Sequence, residues 1–264
     1  MSGVNVVHTS LDALTTISTY GDFIVQYIES TDTYKIIDYI GKDVKLVLPD
    51  NINGRNYTVA SYAFYNRVNF ISVVVPEAVN GIESYAFDGC NRIFEIYNRS
   101  NCDISVGDTG SYQNGGIAAY AKVVHTRADI NEPSMFIEKD DYYFYYNESD
   151  SKYYLAAYGG NDVNLVLPDD INGNSYIISV KAFMNDKSIV SVTISEGVDG
   201  IMPNAFYNCE NLTDVIFKVT SGWAKNIGSD GEPIVYEAAY ISDSKEMATF
   251  LKAYDVYNKI LYRA

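Results

Sequence analysis

"SYAFDGCNRIFEI" (84–96) and "PNAFYNCENLTDV" (203–215) each carry an Ala-Phe pair, a Cys three residues after the Phe, and then a β-prone run. The same dipeptide stands at Ala63-Phe64 and Ala182-Phe183. Sliding the sequence by 119 positions aligns 43–96 with 162–215 without a gap, and 23 of the 54 positions are identical. The chain is therefore an internal duplication, and periodicity has to be read before secondary structure. The match extends backwards, with Tyr34, Tyr39 and Gly41 falling on Tyr153, Tyr158 and Gly160.

Each half holds a shorter repeat. Phe64 to Phe87 is 23 residues, as is Phe183 to Phe206, the length of one strand, one turn and one return segment stacked as a coil. The strands read "VKLVLP", "FISVVVP" and "RIFEIY" in the first half, and "VNLVLP", "IVSVTI" and "LTDVIF" in the second. Alternation sorts their faces. Val44, Leu46, Leu48, Val73, Val75, Ile93 and Ile96 are expected to point inward. Lys45, Val47, Ser72, Val74, Glu95 and Tyr97 are expected outward, with Asn164, Val166, Ser191, Thr193, Asp214 and Ile216 as their counterparts. The pairs Asn53-Gly54, Asn80-Gly81 and Asn172-Gly173 supply residues that accept positive φ where the chain reverses. A single coil buries too little apolar surface to offset the entropy of ordering it, so coils must stack and their ends must be closed.

Composition narrows the function classes. Thirty-four acidic against 19 basic residues give a formal charge of −15 with no basic cluster, which repels nucleic acid and anionic lipid. No apolar run approaches the roughly 18 residues of a membrane-spanning helix, so neither nucleic acid nor membrane insertion is expected. Three cysteines are too few for a disulfide framework. Tyrosine is abundant, at 25 of 264, which favours strands and amphipathic surfaces. "NVVHTS" and "KVVHTR" place the only two histidines, His8 and His125, at matching positions. Residues 1–9 thus read as the tail of a preceding copy, and the chain as a piece of a longer array without its leader.

The order strand, then "x-x-A-F-x-x-C", at this period resembles the BspA-like leucine-rich repeat. "VPEAVNGIESYAFDGCNRIFEI" (75–96) and "ISEGVDGIMPNAFYNCENLTDV" (194–215) carry the resemblance, the second with Ser195 where that family has Pro. It covers roughly 43–98 and 162–217. The lead-in is similar to that of surface proteins of gut Firmicutes. In the first coil of each half, four extra residues separate Pro from Phe, and "AFYNRV" and "AFMNDK" lack the Cys. The resemblance implies surface exposure and binding or adhesion, and no chemistry.

The residues give no catalytic constellation either. Cys90 and Cys209 occupy one repeat slot, as buried small apolar thiols do, and Cys102 has no nearby His in sequence. "DTGS" (108–111) is an aspartic-protease tetrapeptide, but the second half reads "IGSDGEP" and supplies no second carboxylate for a dyad. The acidic stretches "ESDSK" and "KDD" lack the alternating ligands of a calcium loop. No enzyme activity, cofactor or metal is expected.

The expected fold is a β-rich α/β solenoid with short helical turns, in two tandem leucine-rich-repeat units. Each has a β-hairpin N-cap and an irregular or helical C-cap, "SDSKEMATFLKAY" (242–254) being the closing helix. The expected divisions are an N-terminal segment 1–21, unit 1 over 22–125, a linker 126–136 and unit 2 over 137–264. The expected function is recognition or adhesion at a bacterial cell surface, with a host or bacterial surface protein or a glycan as partner. The strand-face stripe Lys45, Ser72, Val74, Glu95, Tyr97, Asn164, Ser191, Thr193 and Asp214 is the candidate site, and the hairpin tyrosines are its rival. The alternative is a structural spacer or virion-associated repeat protein.

Overall fold

A computed structural model describes residues 15–107, 114–129, 131–225, 234–253 and 261–263. His8, the "DTGS" tetrapeptide and Tyr254 lie outside them. The chain divides into two compact units, 1–134 and 135–264.

Unit 1 opens with an antiparallel meander, β1 (Thr15–Tyr20), β2 (Phe23–Ile28) and β3 (Thr33–Tyr39). The coils that follow alternate between two sheets. β4 (Lys45–Val47), β6 (Ser72–Val75), β8 (Glu95–Asn98) and β9 (Val123–His125) form a parallel ladder. β5 (Tyr57–Val59) and β7 (Val79–Ile82) extend the meander in the order β1-β2-β3-β5-β7. The first two coils thus each contribute a second strand that period and motif do not announce. Its signal is present in the β-branched "YTV" and in Gly81, where the register shifts. The sheet of unit 1 also takes in Thr15–Tyr20, inside the segment 1–21.

Unit 2 repeats the plan. β10 (Phe136–Lys139), β11 (Tyr142–Asn147) and β12 (Lys152–Tyr158) form its meander. β13 (Asn164–Val166), β15 (Ser191–Ile194) and β17 (Asp214–Phe217) form its parallel ladder. β14 (Tyr176–Ile178) and β16 (Val198–Ile201) continue the meander sheet, which β20 (Leu261–Arg263), β18 (Trp223–Lys225) and β19 (Ile234–Val235) then extend. Strand β10 begins at Phe136, the last residue of the expected linker. Helix α1 (Ala238–Ile241) precedes α2 (Ser244–Lys252), whose N-cap Asp243 accepts hydrogen bonds from the Lys245 and Glu246 amides. Met247, Ala248 and Leu251 are its buried face, and α2 packs on β17.

The spine of each unit is a column of phenylalanines. Phe64 and Phe87 stack with centroids 4.7 Å apart, and Phe183 and Phe206 do so at 4.8 Å. All four are buried, within Leu46, Leu48, Val73, Val75, Ile93 and Ile96 in unit 1 and their counterparts in unit 2. The Cys of the motif has a physical task here. Cys90 Sγ donates to the Phe64 carbonyl and Cys209 Sγ to the Phe183 carbonyl, each at 3.0 Å, so a small side chain satisfies a buried acceptor one coil back. Tyr57 and Tyr176 tie each corner alike, donating to the carbonyls of Pro49 (2.6 Å) and Pro168 (2.7 Å).

The Ala-Phe corners are built from tight turns. Residues 61–66 make successive i→i−3 turns, but Tyr62 and Asn66 sit at φ 64° and 58°, and a left-handed residue breaks a helical run. Asn114–Gly116 is a left-handed turn as well, its three residues at φ 44°, 61° and 80°.

Candidate binding face

Strand register fixes which outward side chains are neighbours. In unit 1, Lys45, Ser72, Glu95 and Val123 form one row across the ladder, and Val47, Val74, Tyr97 and His125 the next. In unit 2 the rows are Asn164, Ser191 and Asp214, then Val166, Thr193 and Ile216. All nine stripe residues therefore fall where alternation puts them along their strands. Their exposure differs between the units.

The polar row of unit 1 is closed. Ser72 is 4% exposed and Glu95 1%, a correction to their expected outward presentation. Over Glu95 the cause is β9 and the segment after it. His125 Nε2 lies 3.1 Å from Glu95 Oε1, and Ser134 Oγ donates to Glu95 Oε2 at 2.7 Å. The His125 ring stacks on Tyr97 at 4.5 Å. Burial and the Glu95 charge push the Tyr97 hydroxyl above its usual range. The carboxylate stands between the histidine and the serine, so His125 is a cover for a buried carboxylate. In a nucleophilic triad the imidazole would occupy the middle place.

Unit 2 leaves its rows open. Asn164 is exposed, Ser191, Thr193 and Asp214 are half-buried, and Ser191 Oγ donates to Asn164 Oδ1 at 2.8 Å. Thr213 donates to Asp214 at 2.9 Å, as does Ser244 from the start of α2, and the two hold that carboxyl below its ordinary range. In place of a fourth strand, α2 lies beside β17.

The apolar row is common to both units. Val47 is 58% exposed, Val166 61% and Ile216 51%. Val47 and Val166 are also identical across the duplication, although fewer than half of the aligned positions are. An inward valine is kept by packing, but these two are not packed.

The hairpin tyrosines are duplicated too. Tyr27 faces Tyr34 at 5.0 Å, and Tyr146 faces Tyr153 at 5.1 Å. Tyr27 donates to Asp32, which also holds Arg55, so the unit 1 pair is engaged locally. Cys90 and Cys209 are inert, because burial pushes both thiols up to about 12. Among the described residues, no group of three or more metal-ligating side chains converges, and no helix is long and apolar enough to cross a membrane.

Comparison with protein-family models agrees with the repeat. A family model described as "BspA type Leucine rich repeat region (6 copies)" matches residues 48–109 and 168–229, just under half of the chain. No curated protein matches. Three solved structures do. The leucine-rich-repeat protein of T. pallidum is 20% identical over 76% of this chain and 83% of its own, with a TM-score of 0.29. A leucine-rich cell surface protein of Faecalibacterium prausnitzii is 15% identical over 76% of each chain, TM-score 0.30. A leucine-rich-repeat protein of Eubacterium ventriosum is 10% identical over 77% and 72%, TM-score 0.26. With the motif, the matched stretches and the stacked coils in agreement, the chain has a β-rich solenoid fold of leucine-rich-repeat type, its repeat unit written twice.

Proposed function

We propose that this protein is a non-enzymatic recognition module of a bacterial cell-surface protein of the BspA type, in the manner of gut Firmicutes, and that its ladders carry the contact. The observation that supports this reading is the pair Val47 and Val166, exposed, apolar and unchanged between the copies. A regular row of side chains on a parallel ladder is the ordinary ligand surface of a stacked-coil protein. Covering each half-exposed Val or Ile would contribute about 1 kcal/mol, and two copies of the row add avidity when both engage. The meanders, α2 and the segment around β9 close the ends of the units. Unit 2 offers Asn164, Ser191, Thr193 and Asp214 beside its apolar row. Unit 1 offers Lys45, Val74 and Tyr97, its Ser72 and Glu95 being covered. The partner is a host or bacterial surface protein or glycan.

The test is an array of host glycans and extracellular-matrix proteins probed with the wild-type chain and with Val47→Ser/Val166→Ser. A signal that falls at least tenfold in the variant supports the row. Silence across the array would favour the spacer role, and a signal indifferent to the variant would move the contact elsewhere.

A further inference from the structure

We propose a second recognition surface, independent of the strand rows: the corner Tyr62, Tyr65 and Tyr85 of unit 1, which takes an arginine-bearing segment of a basic partner. Each coil turns just before its Ala-Phe position through a left-handed residue. In unit 1 these are Tyr62 (φ 64°), Tyr85 (φ 64°) and Asn114 (φ 44°), and in unit 2 Lys181 (φ 59°) and Asn204 (φ 58°). Backbone hydrogen bonds from Phe64 N to the Ala86 carbonyl and from Phe87 N to the Gly115 carbonyl, both 2.8 Å, set 62, 85 and 114 in one column. That conformation suits Asn and Gly and disfavours bulky side chains. Asn114 and Asn204 follow the rule; Lys181 breaks it once in unit 2, and tyrosines break it in two consecutive coils of unit 1. Strain of this kind persists where it serves a site.

Tyr85 is half-buried, and the other two rings stand largely outside the core. Tyr62 is 56% exposed and Tyr65 50%. They form a small aromatic ladder, Tyr62 parallel to Tyr85 within 2° at 5.4 Å and Tyr65 edge-on to Tyr62 at 5.7 Å. The strips "SYAFYN" (61–66) and "SYAFDG" (84–89) contain no basic residue and one acidic one. The bordering cations are neutralised, Lys35 by Glu83 at 2.5 Å and Arg67 by Asp38 at 3.2 Å. The same corners of unit 2, "VKAFMN" and "PNAFYN", put Lys181 where Tyr62 stands. A guanidinium is planar and weakly hydrated and lies well against a tyrosine ring, and a chain of charge −15 draws it in. A neutral sugar would gain the ring contact without the field.

The experiment is fluorescence anisotropy with labelled (Arg-Gly-Ser)3, its uncharged citrulline analogue and cellohexaose. The wild type should bind the arginine peptide at least tenfold tighter than the citrulline one. Tyr62→Asn/Tyr85→Asn should lose at least tenfold in affinity with its melting temperature equal or higher, because Asn fills this slot elsewhere. The variant leaves net charge unchanged, so any general attraction survives in it. Undiminished binding, a melting temperature lowered by several degrees, no wild-type binding, or tyrosine-dependent binding of cellohexaose instead would each overturn the proposal. Val47→Ser/Val166→Ser should bind the arginine peptide normally, so failure of the strand-row reading leaves this result standing.

Discussion

Phe206→Ala probes the spine of unit 2. The ring is fully buried, lies nearly parallel to Phe183 at 4.8 Å, and packs among the leucines, isoleucines and valines of the inner strand faces. Truncation removes its transfer free energy, opens a cavity and ends the ring stack, together about 3–5 kcal/mol. A unit of this size holds on the order of 6–20 kcal/mol, so the loss is a large share. With a urea slope near 2 kcal/mol/M, the midpoint should fall by about 2 M with the slope unchanged. Equilibrium unfolding followed by circular dichroism reads this. Glu210→Ala, which removes an exposed ion pair with Lys187, is the control and should shift stability by less than about 0.5 kcal/mol. A Phe206→Ala loss below about 1 kcal/mol would refute the reasoning, since it would mean that the ring is not enclosed.

Other expectations can be checked as directly. Under native conditions at pH 8, a thiol reagent should label Cys102, which is half-buried, while Cys90 and Cys209 react only after unfolding; three fast thiols would contradict their burial. Burial raises the hydroxyls of Tyr57 and Tyr176. Their stabilisation is therefore complete below their unfolded value near 10 and is lost as pH rises beyond it. Spectrophotometric titration should show a late tyrosine class released together with unfolding. Gly115→Ala should cost about 1–3 kcal/mol by thermal melting, because the new Cβ would lie 2.6 Å from the Glu83 carbonyl and from the Ala86 Cβ.

Much of the architecture was legible in the sequence, because period and alternation are local properties. Leu46, Leu48, Val73 and Ile96 follow from a two-residue alternation, and the duplication follows from the 119-residue match. What lies over a strand face is not local. Glu95 alternates outward like Lys45, yet a histidine 30 residues on and a serine 39 residues on close over it. The matching histidine motif marked the place but not its partner. The second strands were masked by turn chemistry: Asn80-Gly81 reads as a chain reversal at positive φ, yet it lies inside β7 without positive φ, while Asn53-Gly54 and Asn172-Gly173 do reverse the chain. The tyrosine corner was hidden for another reason: left-handed backbone is anticipated from Asn or Gly, and a Tyr in that slot gives no such signal.

Stacking of coils on one apolar spine is the claim on which the binding rows depend, and ring-to-ring nuclear Overhauser contacts in phenylalanine-labelled protein test it most directly. Cross-peaks between Phe64 and Phe87, and between Phe183 and Phe206, are predicted from their 4.7 and 4.8 Å separations. Absent cross-peaks with solvent-exposed rings would contradict the account.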